Sequence, residues 1–427
     1  MLSKIFATRR LRLVLAFAVL GCAASPAALA TALKLEQAQQ IAVARSRQLA
    51  GIDGAVSASR DMAVAVRQLP DPLIKFGIDN MPVTGPERFS ISSDFMTMRR
   101  LGVMQELTRT DKRERRADAY QRAADKSLAE KDAATAAIER DTAIAWLDRY
   151  FLHELSQVAV AQAALARHEV EASEAAHRGG KSSLADVLAA RSALALAQDR
   201  ESQAARRSAS AVTTLARWIG AEAARPLAQL PALDTIPLDI ATLGAQLEHH
   251  PQLAVLDRQV DVAQAEVRSA EAGRKPDWSI ELAFQQRGPA YSNMVSVGVS
   301  VPLQWDRGNR QDREVAAKAA MAGQARADRE EAQRAHLAEA RVMIDEWRNG
   351  RERIVRFERD VQPLAAQRVE ATMAAYRGGK AALADVLAAR RGATEVSVQA
   401  LELRMATARL WAQLHFLFPH GAKGAPK

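Results

Sequence analysis

The sequence is poor in cysteine and in aromatic residues, and these shortages restrict what it can be. Cys22 is the only cysteine, so an intramolecular disulfide is excluded. Aromatic residues make up 5% of the 427 residues, whereas charged residues make up 26% and alanine recurs throughout. This composition favours long helices packed at close range over a large globular core.

Residue groupings that would carry chemistry are also missing from the sequence. The eight histidines show no metal-ligand spacing with cysteine or paired carboxylates, and we expect them to be solvated helix residues. The formal net charge is +9, but no basic patch is interleaved with aromatic residues, as nucleic-acid binding would favour. We therefore expect no enzyme activity, no cofactor, no resident metal site and no nucleic-acid partner.

The N-terminus has the pattern of an export signal. Four basic residues accompany the apolar run 13–20, which is too short to span a bilayer as a helix. Ala-Leu-Ala at 28–30 offers a cleavage site, so we expect removal of residues 1–30, which lowers the formal net charge to +5. Val-Leu-Gly-Cys at 19–22 offers the alternative of lipoprotein processing with acylation of Cys22, although its leucine fits that motif imperfectly.

One stretch of the chain occurs twice. RGGKSSLADVLAAR at 178–191 returns as RGGKAALADVLAAR at 377–390, with two serines replaced by alanines. So long a match at nearly half the chain length indicates an internal duplication. In each copy a Gly-Gly pair ends a helical run and a new helical stripe follows within a few residues, which predicts the tip of a helical hairpin.

The duplication divides the chain into two repeats. We expect a first repeat over 31–225, a connector over 226–240, a second repeat over 241–418 and a disordered tail over 419–427. Helical periodicity covers about 35–68, 109–178, 184–219, 241–272, 307–377 and 383–418. Pro363 lies inside the fifth of these patterns and should kink or break that helix.

Between the helices of each repeat, two segments alternate apolar and polar residues with a period of two. The apolar positions include Ile74, Phe76, Val103, Leu282 and Val297. Strands with one apolar and one polar face are typical of a membrane β-barrel wall. Four strands cannot close a barrel and lipid does not tolerate an open edge, so several chains would have to combine. The alternative is two ordinary hairpins on a soluble core.

Several polar-face residues of the second segment are candidates for the lumen of such a barrel: Met96, Met98, Arg100, Met104 and Glu106. Thioether sulfurs are soft ligands that suit Cu(I) or Ag(I). Methionines on strands also serve as simple filler, and this alternative stays open.

The chain resembles the TolC-like outer-membrane efflux proteins over essentially its whole mature length. The resembling features are LKLEQA at 33–38, the paired strands, YRGG at 376–379 and LADVL at 184–188 and 383–387. The resemblance implies a mainly α-helical fold with a transmembrane β-barrel. Three chains would contribute four strands each to a twelve-stranded barrel in the outer membrane of a Gram-negative bacterium, above an α-helical barrel in the periplasm.

The resemblance also implies partners and sites. An inner-membrane pump and a periplasmic adaptor would complete the assembly, and the adaptor would dock on the hairpin tips, at Arg178, Gly179, Gly180, Lys181, Arg377, Gly378, Gly379 and Lys380. The alternative, which needs no resemblance, is that the basic residues at the tips are there because positive side chains stabilise the negative C-terminal end of a helix. Asp186 and Asp385 are gate candidates at the periplasmic end; the alternative is that they favour the positive N-terminus of a helix.

The chain looks closest to the metal-efflux branch of this family, so we expect heavy-metal cations as cargo. Rivals with the same fold are a multidrug efflux channel and the outer-membrane channel of a type I protein secretion system. A soluble periplasmic coiled-coil adaptor is a remote alternative, because no small β-rich module is recognisable between the helices.

Overall fold

The computed structural model describes residues 32–418. The predicted export signal, the acylation candidate Cys22 and the predicted tail 419–427 lie outside these residues. The described helices are α1 (Leu35–Arg45), α2 (Arg47–Ala65), α3 (Thr110–Arg178), α4 (Leu184–Ile219), α5 (Leu243–Leu247), α6 (Pro251–Ala272), α7 (Gln311–Arg356), α8 (Gln362–Arg377) and α9 (Leu383–His415). The strands are β1 (Leu73–Asp79), β2 (Met98–Leu107), β3 (Trp278–Gln286) and β4 (Met294–Ser300).

The longest element is α3, an alanine-rich helix of 69 residues. At about 1.5 Å per residue it extends over roughly 100 Å. It packs against α4, its partner in the first hairpin, and against α2, α6 and α9. Small residues along α3 such as Ala124, Ala143 and Ala163 are fully buried, which lets neighbouring helices approach closely.

Two predicted helices are each broken in the structure. The pattern over 35–68 is divided at Ser46, whose hydroxyl accepts a hydrogen bond from the Leu49 backbone amide at 3.3 Å and caps α2. The pattern over 241–272 is divided between α5 and α6, because Pro251 begins α6 and lacks the amide that would continue α5. The prediction of one continuous helix was wrong in both places.

The break predicted at Pro363 is confirmed. Between α7 and α8, residues Phe357–Val361 form a π-helical turn, and Pro363 lies in the first turn of α8. A proline ring collides with the carbonyl group four residues earlier in a regular helix, and a widened turn relieves that collision.

The main apolar core forms where α1, α7, the middle of α3 and the ends of α4 and α9 meet. Trp146, Leu215 and Leu414 are fully buried there. The connector is tied to this core by hydrogen bonds: the Trp411 indole donates to the Thr235 carbonyl group at 2.8 Å, and the Leu33 amide donates to the Pro226 carbonyl group at 2.8 Å. The connector is therefore part of the folded body.

The four strands form one antiparallel sheet in the order β1-β2-β3-β4. The register aligns Ile74, Val103, Leu282 and Val297 in one row, and these side chains are 67, 47, 55 and 72% exposed. The apolar face is therefore uncovered in the chain, which excludes the alternative in which the hairpins pack on a soluble core. Of the helices between residues 32 and 418, none has both the length and the apolar character needed to cross a membrane.

Candidate functional site

The first hairpin tip is a hydrogen-bonded helix ending built around Gly180. The Lys181 amide donates to the Ala176 carbonyl group at 2.8 Å, and the Gly180 amide donates to the His177 carbonyl group at 3.0 Å. This pair of bonds is the Schellman motif, which needs a left-handed residue. Gly180 supplies it with a φ of +69°.

The second tip repeats the first with the same offset as the sequence match. The Lys380 amide donates to the Ala375 carbonyl group at 2.8 Å, and the Gly379 amide donates to the Tyr376 carbonyl group at 3.0 Å. Gly379 has a φ of +70°. The hairpin turns are therefore equivalent, and the predicted docking residues around them are solvent-exposed.

The gate candidates Asp186 and Asp385 lie at the starts of the return helices α4 and α9. The Ser183 amide and hydroxyl donate to Asp186 Oδ2 at 2.9 and 2.8 Å, and these hydrogen bonds hold the pKa of the Asp186 carboxyl below its ordinary value. Asp385 Oδ2 accepts from the Ala382 amide at 2.9 Å. Both carboxylates thus cap a helix, as the helix-start alternative expects; a gating role stays a prediction.

The two hairpins differ in their side chains just behind the tips. In the first, Arg191 pairs with Glu174 at 2.6 Å. In the second, Met373 stands where Glu174 would be, so the equivalent Arg390 cannot form this pair.

A buried carboxyl that the sequence did not indicate lies near Arg390. Glu169 of α3 is 4% exposed, and one of its oxygens has no hydrogen-bond partner. Burial raises the pKa of Glu169, and the positive charges of Arg391 and Arg390 oppose the shift. This carboxyl therefore connects the first hairpin electrostatically to the second.

On the sheet, the polar face carries most of the predicted lumen residues. Met98, Arg100, Met104 and Glu106 alternate along β2 and lie opposite the apolar face. Met96 does not belong to this face, because β2 begins at Met98, and the Met96 amide instead closes a turn with Asp94 at 2.7 Å.

The methionines of β2 do not form a metal site. Met98 and Met104 are six residues apart on one strand, about 20 Å at the usual rise, so they cannot bind one ion together. Met294 of β4, which the sequence analysis did not single out, also lies on the polar face, since it pairs with Gln285. In the described part of the chain, no three histidine, cysteine or acidic side chains are placed to hold a metal ion.

One pair of histidines contradicts the expectation of solvated helix residues. His250 is 7% exposed, and its ring centre lies 4.9 Å from that of His336 on α7 and 5.9 Å from that of Phe418. Burial, with the charges of His336 and Arg140, lowers the pKa of His250 to about 4. Pro251 marks the start of α6 and places His250 at its N-cap, but it does not indicate that the ring is buried.

Comparisons with known proteins identify this architecture. The outer membrane protein VceC from Vibrio cholerae is 19% identical, with a TM-score of 0.73 over 90% of this chain and 95% of that protein. The CmeC outer membrane channel of Campylobacter jejuni is 12% identical, with a TM-score of 0.76 over 91% and 87%. The MtrE outer membrane channel of Neisseria gonorrhoeae is 16% identical, with a TM-score of 0.69 over 92% and 90%.

At the level of sequence, no protein-family model and no curated protein matches the chain. The likeness is therefore one of structure, and it covers 90% or more of this chain in each of the three comparisons. The chain has the fold of outer-membrane channel proteins, in which long helical hairpins carry a small antiparallel sheet.

Proposed function

We propose that this chain is one protomer of a TolC-like outer-membrane efflux channel. The observation that carries the proposal is the uncovered apolar face of the sheet. Phe76 is 84% exposed; its own row continues through Leu101, Phe284 and Val295, and the row on the Ile74 side consists of isoleucine, valine and leucine. Transfer of a large apolar side chain from water to an apolar environment is favourable by about 1.5–3 kcal/mol. Lipid is the environment that this face fits.

The open edges of the sheet support a multichain barrel. β1 and β4 are the two edge strands, and they run in opposite directions because each neighbouring pair is antiparallel. β4 of one protomer can therefore pair with β1 of the next in the same antiparallel manner. A trimer, which the family resemblance implies, would close twelve strands without an edge, as a bilayer requires.

The helices give the channel its reach. If the sheet lies in the outer membrane, α3 and the α7–α8 pair extend the tips roughly 100 Å into the periplasm. There the tips would meet a periplasmic adaptor and, through it, an inner-membrane pump that supplies the energy. The channel itself would be a passive exit duct.

For the cargo we propose heavy-metal cations. Met98, Met104 and Met294 on the polar face offer separate thioether contacts, which suit passage better than tight binding. The carboxylate of Asp186 lies near the first tip, and that of Asp385 lies near the second. Multidrug efflux and type I protein secretion use the same architecture and are the competing cargo classes.

Assembly tests the channel proposal directly. After extraction in mild detergent, native mass spectrometry should find about three times the mass of the processed chain, from a full chain of 46.4 kDa. The protein should also fractionate with the outer membrane. Recovery as a monomer from the soluble periplasmic fraction would refute the proposal.

A further inference from the structure

The polar face of the sheet carries a compact cluster of opposite charges. The Glu281 carboxylate on β3 lies between two cations: Lys75 Nζ of β1 at 2.9 Å and the Arg100 guanidinium of β2. Arg100 also approaches Asp79 at 3.6 Å. Glu281 is thus the carboxylate that the two cations share.

The cluster lies over a floor of small residues. Gly102 and Ala283 face each other at its centre, in the row that begins with Lys75. Ala283 is 1% exposed, and a Cβ atom added to Gly102 would lie 3.1 Å from that of Ala283. A larger residue at position 102 would therefore press against Ala283 on the neighbouring strand.

Stability gives little reason for this arrangement. The Lys75, Arg100 and Glu281 side chains are 42, 31 and 19% exposed. Ion pairs in contact with solvent contribute about 0–1 kcal/mol each, and salt weakens them further. The backbone ladder aligns these strands without the cluster. What the charges do change is the electrostatic potential of the surface they cover.

We propose that Glu281 sets the charge preference of the outer pore by neutralising Lys75 and Arg100. This inference rests on the proposed function, which makes the polar face the lumen. Rings of basic side chains favour anions in pores, and rings of acidic ones favour cations. Without Glu281, the cluster of each of the three protomers would carry a net charge of +1, because Asp79 compensates only one of the two cations. With it, the charges of Lys75, Arg100, Asp79 and Glu281 sum to zero, so the cluster itself puts no net positive charge in the path of small cations.

The test is the reversal potential of the purified trimer in a planar bilayer under a potassium chloride gradient. The salt should be dilute, because screening at high salt hides fixed charges. Glu281→Gln should shift the reversal potential towards anion preference. Lys75→Gln should shift it towards cation preference. Glu281→Gln combined with Lys75→Gln should return it to the wild-type value.

The combined variant separates charge from structure. If Glu281 acted only by holding the strands in place, removal of Lys75 would not restore the wild-type reversal potential, and the inference would be overturned. Glu281→Asp, which keeps the charge, should stay close to wild type. Absence of any conductance in the wild-type trimer would count against the proposed channel. A conducting wild type whose reversal potential is changed neither by Glu281→Gln nor by Lys75→Gln would overturn the role of Glu281 alone.

Discussion

The two glycines of each tip have different backbone demands. Gly180 and Gly379 have positive φ angles, whereas Gly179 and Gly378 have φ near −81° and −82°, which any residue adopts. A Cβ atom added to Gly179 would meet its nearest carbonyl oxygens at 3.6 Å, an ordinary contact. The second glycine of each pair is therefore the one that the turn requires.

This difference predicts a paired result from mutagenesis. Gly180→Val with Gly379→Val forces β-branched residues into left-handed backbone, at a cost of about 1 kcal/mol or more each. We expect a distorted tip, loss of adaptor crosslinking and loss of efflux, with the trimer still assembled. The measurements are crosslinking yield and export of a cargo in cells.

The matched control places the smallest side chain at the first glycine of each pair. Gly179→Ala with Gly378→Ala keeps the turn and should keep crosslinking and efflux near the wild-type level. Normal export by the valine variant would show that tip geometry does not determine docking.

At the scale of single elements, the break between α5 and α6 has a consequence for pH dependence. It turns His250 inward, against His336 on α7, Arg140 on α3 and Phe418 beyond α9. His336 and Arg140 are both basic, so they oppose protonation of the His250 ring. Glu339, which lies 3.7 Å from His336, is 68% exposed and pairs with that ring only weakly.

The sign of the pH effect follows from the direction of the shift. The pKa of His250 falls from 6.5 in the unfolded chain to about 4 in the folded one. Between these two pH values the His250 ring is therefore protonated in the unfolded chain and neutral in the folded one. The free energy of unfolding decreases as the pH falls from about 6.5 towards 4. The shift corresponds to roughly 3 kcal/mol when fully expressed.

His250→Phe tests this assignment, since a phenyl ring keeps the aromatic packing and removes the titration. The thermal midpoint of the detergent-solubilised protein, measured between pH 8 and pH 4.5, should fall with acid less steeply in the variant than in the wild type. Equal slopes would show that other groups cause the acid sensitivity.

The elements also show what could be read from the sequence. Strand alternation has a period of two and helix periodicity is local, so the sheet faces and the hairpins were predictable from short stretches such as 73–79 and 178–191. The breaks at Ser46 and Pro251 depend on single capping residues inside otherwise helical patterns, and the periodicity concealed them.

The site was less predictable because its contacts join distant parts of the chain. Lys75 and Glu281 are 206 positions apart, and Glu169 faces arginines of the other hairpin. No local pattern marks such pairs. The duplication indicated two similar tips. Met373 occupies the position in the second hairpin that Glu174 occupies in the first, but the ion pair between Glu174 and Arg191 joins two helices and is recognisable only in the folded structure.

At the scale of the whole molecule, the two ends of the proposed duct both carry mixed charges. The sheet end has the cluster around Glu281, and the tip end has Asp186 and Asp385 beside the exposed Lys181 and Lys380. The electrostatic fields of these charged groups are screened within about 8 Å at physiological salt. The duct itself therefore discriminates weakly, and selection of the cargo should reside in the pump that it serves.

Deletion of the chain's gene then reports the cargo of the whole assembly. On the metal-cation proposal, the deletion strain should become sensitive to copper, silver, zinc, cobalt or cadmium, while its tolerance of hydrophobic drugs should change little. The minimal inhibitory concentrations of both classes measure this, with the wild-type gene restored on a plasmid as the control. Drug sensitivity with unchanged metal tolerance would replace the metal cargo with organic compounds and leave the channel in place, because the barrel face and the tips do not depend on what passes between them.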